Sequence, residues 1–305
     1  MLNESRKVNF AEEYCGNKNA HSTIKALQNI SDRIEPLYNK DLCDLSRDEA
    51  IEALKSLGAV SYSYVGFILH LVRNYTQWCL NNGLCIGENV YDRLSSGDID
   101  TSERIASNIP RSYDEVAYII DSAFGNIDEI SGSNNCRACV WLSFLGIKID
   151  KAIELKNEDY DGINLYCDGE KLDLTPYPEI RKVLDVCKIQ VKYLKGCYYE
   201  NYPTQNYLIK RYNVEATDIK AKFLRRISDK LTGYAKRTGD QSYTMSNFVK
   251  AGLFCRMEAA GDKWTDVANE YIVSNYAGEK STGRMMTFKV KQLSKEYLAW
   301  RKINS

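Results

Sequence analysis

Apolar residues recur every three or four positions along most of the chain, and this pattern predicts a mainly helical protein. Such stripes run over residues 22–35, 46–57 and 61–82. The second stripe begins with a capping-box sequence at Ser46, which predicts a helix start at that point. We therefore expect a small helical bundle as the first domain, residues 1–90.

A polar stretch with little periodicity follows at residues 91–110 and predicts a linker. The second domain, residues 111–305, again has helical periodicity. Asp168 and Gly169 separate two short alternating runs, which indicates a β-hairpin. The helices predicted around this hairpin cover residues 112–124, 135–146, 178–194 and most of 205–302.

Composition is that of a globular protein large enough for two cores. The 305 residues include 41 Lys+Arg, 41 Asp+Glu and 44% hydrophobic residues. The apolar runs are shorter than the ~20 residues of a membrane span, and the N-terminal residues are polar, so we expect a cytoplasmic protein with no membrane partner. The Cys-x-x-Cys at Cys136 and Cys139 lacks a second pair, and the chain has two histidines. We expect free thiols, no metal and no cofactor.

The charges are unevenly distributed along the chain. Residues 1–177 contain 17 Lys/Arg and 28 Asp/Glu, whereas residues 178–305 contain 24 and 13. The basic excess is concentrated in 178–240 and 278–305. Such a division indicates a surface that faces a polyanion, most often a nucleic acid, with a solvated basic face as the alternative.

One predicted helix carries much of this charge at helical spacing. The candidate DNA-binding residues in and before it are Lys210, Arg211, Lys220, Lys222, Arg225 and Arg226, and Lys230 continues the same series. Tyrosines cluster in the same basic segment. Their rings could rest against sugars or cover the core, and the sequence does not separate these alternatives. The cluster comprises Tyr198, Tyr199, Tyr202, Tyr207 and Tyr212.

Several motifs resemble those of the tyrosine recombinases, also called phage integrases. Residues 41–46 and 78–83 resemble steps in the core-binding domain of that family, and residues 137–155 are similar to the helix that leads into its Thr-Gly-Leu-Arg-Ile-Ser-Glu motif. The resemblance implies a mainly α, two-domain, C-shaped clamp. A helical core-binding (SAM-like) domain would be followed by a helical catalytic-like domain containing the small β-hairpin.

The resemblance also implies that the catalytic set is degenerate. The position of the family's first catalytic arginine is Lys148, its hairpin lysine corresponds to Lys171, and its His-x-x-Arg box is occupied by Asn247 and Lys250. The nucleophilic tyrosine would fall near residue 283, but the nearest downstream candidate is Tyr297. Tyr297 has helical spacing with Leu293 and Trp300, so a packing role is favoured.

The chemistry of these differences favours binding without cleavage. Two arginines clamp the oxygens of a phosphoryl transition state with planar bidentate donors, which lysine cannot reproduce. Lys148 and Lys250 still attract a phosphate as point charges, so affinity for a DNA backbone would remain. No histidine follows residue 70, and a tyrosine of pKa ~10 would lack a general base. We predict a degenerate enzyme with no catalytic residues.

Length, residues 10–14 and the missing catalytic set together resemble phage lytic-cycle repressors of the MrpR type. This resemblance implies a sequence-specific binder of double-stranded DNA that maintains lysogeny as a prophage repressor in the bacterial cytoplasm, associated with the nucleoid. We expect a monomer or weak homodimer, with a protein or peptide regulator as a further partner. Two alternatives stay open, namely an active site-specific recombinase and a protein-interaction module with no DNA role.

Overall fold

The computed structural model describes residues 1–15, 20–57, 62–195, 197–213, 218–241, 243–276 and 283–304, with backbone alone for Cys15, Tyr62 and Ser63. The chain divides into two compact units, Met1–Ser107 and Asn108–Ser305, and both are mainly helical. In the described part of the chain, no helix is both long and apolar enough to cross a bilayer.

The first unit is a bundle built around one apolar core. The predicted capping box is confirmed, because the Glu49 amide donates to Ser46 Oγ and the Ser46 amide donates to the Glu49 carboxylate. The second helix continues beyond the predicted stripe at residues 22–35 to Tyr38, and Pro36 lies within its last turn. The helices are α1 (Glu4–Cys15), α2 (Ala20–Tyr38), α3 (Arg47–Ser56), α4 (Tyr62–Asn81) and α5 (Ser102–Ser107).

The predicted linker at residues 91–110 is mostly part of the first unit. Tyr91, Leu94 and Ile99 are buried in the same core as α2 and α4. The Arg73 guanidinium, on α4, donates hydrogen bonds of 3.0 and 2.7 Å to the carbonyls of Tyr91 and Leu94. Tyr91, Leu94 and Ile99 lie outside helices, so their burial leaves no helical periodicity in this part of the sequence.

A cluster of buried charges joins the beginning of the first unit to its centre. The Lys7 ammonium lies 2.6 Å from Glu35 and 3.0 Å from Asp41, and all three side chains are almost fully buried. The Tyr75 hydroxyl donates to Asp41 at 3.0 Å. Burial raises the pKa of Asp41, but Lys7 and hydrogen bonds from Asn3 and Lys7 outweigh burial and hold that pKa below its usual value.

The second unit is arranged around one helix that is buried along its whole length. Its helices are α6 (Tyr113–Phe124), α7 (Asn134–Phe144), α8 (Ile149–Ala152), α9 (Pro178–Ile189), α10 (Ile219–Thr238), α11 (Met245–Ala259), α12 (Trp264–Tyr276) and α13 (Gly283–Asn304). Every residue of α7 is buried, and α7 packs against α9 and α11.

The contact between α7 and α11 is very close. A Cβ atom placed on Gly252 of α11 would lie 1.7 Å from the carbonyl oxygen of Phe144, the last residue of α7. The Arg256 guanidinium, one turn further along α11, donates to the same oxygen at 3.1 Å. Gly252 therefore lets the two backbones touch, and Arg256 satisfies a carbonyl that α7 leaves open.

The predicted hairpin is present, and a second one follows it. Strands β1 (Asn164–Cys167) and β2 (Glu170–Asp173) pair antiparallel, and the turn residues Asp168 and Gly169 both have positive φ. The helix predicted over residues 178–194 ends at Ile189. Strands β3 (Lys192–Lys195) and β4 (Tyr198–Asn201) pair after it, and the tyrosines in both strands favour extended structure.

Tyrosine rings fix the second hairpin to the body of the unit. The rings of Tyr193, Tyr202 and Tyr212 lie 4.6 to 5.3 Å from one another, and the Tyr212 hydroxyl donates to the Gly132 carbonyl at 2.6 Å. Tyr198 and Tyr199, by contrast, are more than half exposed. Part of the tyrosine cluster therefore lies in the core, and Tyr198 and Tyr199 lie at the surface.

The thiols of the second unit are mostly enclosed. Cys136 and Cys139, the predicted Cys-x-x-Cys, are both buried within α7. Burial raises the pKa of Cys136 to about 12. Cys197, between β3 and β4, is exposed.

Candidate nucleic-acid interface

Helix α10 has one apolar face and one basic face. Phe223, Ile227 and Leu231 are buried at intervals of four residues, which places them toward the core. The exposed side of the helix carries Lys220, Lys222, Arg225, Arg226 and Lys230. Lys222, Arg226 and Lys230 have the same four-residue interval and form one row along the helix.

The charges on this face are held only weakly by carboxylates. Lys222 pairs with Asp218 at 2.8 Å and Lys220 with Asp150 at 3.3 Å, but all four side chains are more than half exposed, so both pairs contribute little. The Arg226 guanidinium lies over the Tyr212 ring, 3.6 Å from its centroid. Such stacking holds the guanidinium plane while leaving its N–H edge free to bind an anion.

Helix α8 lies between this face and the first hairpin. Its N-cap residue is Lys148, the position that corresponds to the first catalytic arginine of the tyrosine recombinases. Lys148 is exposed at the N-cap of α8. The pKa of Asp150 is lowered mainly by its own backbone N–H, and further by Lys220 and Lys148. Lys151 of the same helix pairs with Asp168 in the hairpin turn at 2.8 Å. Lys148 therefore lies beside the start of α10.

Lys171, which corresponds to the hairpin lysine of the tyrosine recombinases, lies on β2. It pairs across the hairpin with Tyr166 and is solvent exposed. The Lys151–Asp168 ion pair ties this hairpin to α8. The structure thus places both Lys148 and Lys171 on exposed surfaces of elements that are linked to one another.

Lys210 and Arg211, which were predicted to bind DNA, are buried in the structure. Both residues are only 5% exposed. The Lys210 ammonium donates to the Tyr207 carbonyl at 2.7 Å, and burial lowers its pKa. The Arg211 guanidinium donates to the Ile153 carbonyl at 2.8 Å and pairs with Glu154 at 2.6 Å. Leu208 and Ile209, which directly precede these two cations, are buried in the core. Lys210 and Arg211 are therefore buried as well, and they bind backbone oxygens of their own unit.

At the His-x-x-Arg positions, both side chains have partners within the protein. Asn247 Oδ1 accepts from the amide and the hydroxyl of Thr244, at 2.7 and 2.6 Å, and so caps the start of α11. Lys250 pairs with Glu296 of α13 at 2.6 Å, where Lys250 is 23% and Glu296 5% exposed. Burial raises the pKa of Glu296, although Lys250 acts in the opposite direction.

Tyr297 is a packing residue, as its spacing predicts. It is 1% exposed, and its ring packs against those of Phe254, Trp264 and Trp300. Its hydroxyl donates to Glu258 at 2.6 Å. Burial, and then the hydrogen bond to Glu258, raise the pKa of Tyr297 to about 12.

The residues that neutralise or fix these groups lie far from them in the sequence. Glu296 and Glu258 stand 46 and 39 residues from their partners Lys250 and Tyr297, so no local pattern signals the pairs. Arg256 likewise contacts Phe144 across 112 residues. All three interactions depend on how α11 packs against α7 and α13.

The first unit contains the part of the chain that matches a known protein family. Residues 1–81 match the family model described as the MrpR N-terminal core-binding domain. The first unit is therefore similar, over its first 81 residues, to an MrpR-type core-binding domain. The match ends at the last residue of α4, whereas Tyr91, Leu94 and Ile99 belong to the same core. Residues 82–107 thus continue the first unit beyond the matched range, and the predicted resemblance is confirmed for residues 1–81.

Among solved structures, the chain is similar to residues 82–397 of the Tn1549 transposon integrase, determined in complex with circular intermediate DNA. The identity is 13%, the alignment covers 95% of each chain and the TM-score is 0.37. A similarity at this level carries no information about the function of this chain. A search of curated proteins gave no significant match.

Proposed function

We propose that this protein binds double-stranded DNA without cutting it and represses prophage transcription. The basic face of α10 carries the proposal. It presents Lys222, Arg226 and Lys230 in one row, with Arg225 beside them, on a helix whose apolar face is anchored in the core. A rigid row of cations that have few or weak internal partners is suited to follow a phosphate backbone.

The distribution of charge between the units supports this location. Residues 1–107 contain 11 Lys/Arg and 15 Asp/Glu, so the first unit is acidic as a whole. Residues 108–305 contain 30 Lys/Arg and 26 Asp/Glu. Electrostatic attraction to DNA must therefore come largely from the second unit. The MrpR-type core-binding domain would then contribute contacts that depend less on charge.

The environments of the family positions support binding without strand cleavage. Lys250 is paired with Glu296, and Asn247 is used to cap α11, so neither is free to clamp a scissile phosphate. The Tyr297 hydroxyl is buried and bound to Glu258 with a raised pKa, which disfavours the phenolate that would attack phosphorus.

A salt-dependence measurement tests DNA binding. The double variant Lys222→Ala/Arg225→Ala should bind duplex DNA more weakly whatever its sequence. The slope of log K against log salt should become shallower by about 0.9 for each phosphate that the protein no longer neutralises. Fluorescence anisotropy of a labelled duplex between low and moderate salt gives this slope. An exposed lysine on another helix, Lys182, supplies the control, since Lys182→Ala should leave the slope unchanged.

Cleavage is tested on the same duplex carrying a nick. No covalent protein–DNA adduct should form, and Tyr297→Phe should bind DNA as the wild type does. An adduct that disappears in Tyr297→Phe would establish an active recombinase. A salt-independent interaction, or none, would leave the protein-interaction alternative.

Repression follows from occupancy, because a protein that holds DNA near a promoter without reacting with it blocks polymerase. Deletion of the gene from its prophage should raise phage release and transcription of neighbouring phage genes. Plaque counts and transcript levels measure both effects, and complementation with the Lys222→Ala/Arg225→Ala variant should restore repression less well than the wild type does. Unchanged release and unchanged transcription would refute repression while leaving DNA binding intact.

A further inference from the structure

A cavity of about 560 Å³ opens between the second hairpin, the start of α7 and one turn of α10. Its lining includes Tyr212, Arg226 and Lys230. The ring of Tyr212 is fixed from below by the hydrogen bond to Gly132, and Arg226 is stacked upon it. The wall of the cavity is therefore preorganised. Its volume is in the range of small-molecule sites.

The charge in this cavity is predominantly positive. Among the described residues, Arg226 and Lys230 have no carboxylate within 4.0 Å, while Lys195 at the rim pairs with Glu200 at 2.8 Å. Asp229 is the carboxylate in the lining. Although burial raises the pKa of the Cys136 thiol in the same wall, Arg226 and Lys230 act to lower that pKa, so both charges lie close to the cavity.

A hydroxyl group lines the same cavity as these cations. Ser133 lines the cavity at the N-cap position of α7, but its side chain makes no capping hydrogen bond. The hydroxyl oxygen of a serine at the N-cap usually accepts a hydrogen bond from a backbone N–H in the first turn of the helix. Here the hydroxyl is available to a ligand.

We propose that this cavity binds a phosphate group, held by Arg226, Lys230 and Ser133. A guanidinium edge, an ammonium and a hydroxyl together match the several acceptor oxygens of a phosphate ester, and the tyrosine rings can cover an attached sugar or base. The phosphate comes either from the DNA backbone or from a free nucleotide. Binding of a DNA phosphate in this cavity rests on the proposed function, whereas binding of a free nucleotide is independent of it.

Two sets of titrations on the full chain test the cavity. Inorganic pyrophosphate and AMP are titrated by isothermal titration calorimetry, and duplex DNA by anisotropy. Ser133→Ala is the most informative variant, because the loss of a hydroxyl without a capping bond should leave the melting temperature unchanged. Ser133→Ala, Arg226→Ala and Lys230→Ala should each weaken binding of the true ligand, the last two by about tenfold or more. Arg226→Lys, which keeps the charge but not the planar edge, should also weaken it.

Lys236→Ala is the matched control, since it removes a lysine from the same helix outside the cavity lining and should leave pyrophosphate and AMP binding unchanged. Losses confined to pyrophosphate and AMP assign the site to a free nucleotide. Losses in DNA affinity without measurable binding of the small ligands assign it to a backbone phosphate. Binding of all ligands that is insensitive to Ser133→Ala and Lys230→Ala, or no binding of any of them, overturns the proposal. If pyrophosphate binds and DNA does not, the proposed DNA-binding function is refuted, but the proposal of a phosphate site in this cavity is retained.

Discussion

Lys7→Ala should lower the free energy of unfolding of the first unit by about 3–5 kcal/mol. The substitution leaves Glu35 and Asp41 buried as carboxylates without their ammonium partner. Unpaired buried charge is among the most destabilising changes that a single substitution can make. Hydrogen exchange followed by mass spectrometry should show the loss in peptides from α1 and α2 during a urea titration, while peptides from the second unit keep their protection.

An exposed pair in the same unit provides the comparison. Lys55 pairs with Glu52 on the surface of α3, so Lys55→Ala should change stability by less than about 1 kcal/mol. Equal effects of the two variants would show that the Lys7 cluster contributes no more than a surface pair.

The same cluster should make the first unit sensitive to acid. Because the pKa of Asp41 is lower in the folded chain than in the unfolded one, its stabilisation is complete above the unfolded value of about 3.9 and is lost as pH falls through the folded value. This part of the acid dependence should shrink in Lys7→Ala.

Gly252→Ala should destabilise the second unit by about 3 kcal/mol or more, because the new methyl group would overlap the carbonyl of Phe144. The clashing atom belongs to the backbone of a fully buried helix, so no side chain can rotate away. Separation of α7 from α11 would also break the Arg256 hydrogen bond. Thermal unfolding monitored by tryptophan fluorescence, to which Trp141 buried in α7 contributes, should report the loss.

Gly66, the fifth residue of α4, is a matched glycine without this constraint. No atom lies within 4 Å of the position of its Cβ, so Gly66→Ala should raise stability by about 0.5–1 kcal/mol through the reduced entropy of the unfolded chain. A stable, normally folded Gly252→Ala protein would mean that α7 and α11 are further apart than the structure places them.

Local signals in the sequence were sufficient for much of the fold. The capping box at Ser46 and the Asp168–Gly169 turn each depend on residues within four positions of one another, and both appear as predicted. The basic face of α10 was also predictable, since its charges and its apolar residues have the same helical period.

Features that depend on distant packing could not be predicted in this way. The strand at 192–195 continues an apolar periodicity that is compatible with a helix, and contacts of Tyr193 with Tyr202 and Tyr212 stabilise the extended form. Lys210 and Arg211 look like surface cations until Leu208 and Ile209 are seen to be buried. Lys250 likewise looks available until α13 brings Glu296 beside it.

The exposure of Cys197 makes the second hairpin a place from which ligand binding can be observed directly. Among the nine cysteines whose side chains the structure describes, Cys197 alone is exposed, and burial raises the thiol pKa of Cys136, Cys139 and Cys187 in the same unit. In a Cys15→Ser background, a maleimide dye should therefore label Cys197 first. The dye would stand two residues from Lys195 at the rim of the cavity, so its emission would follow occupancy in real time without a labelled nucleic acid.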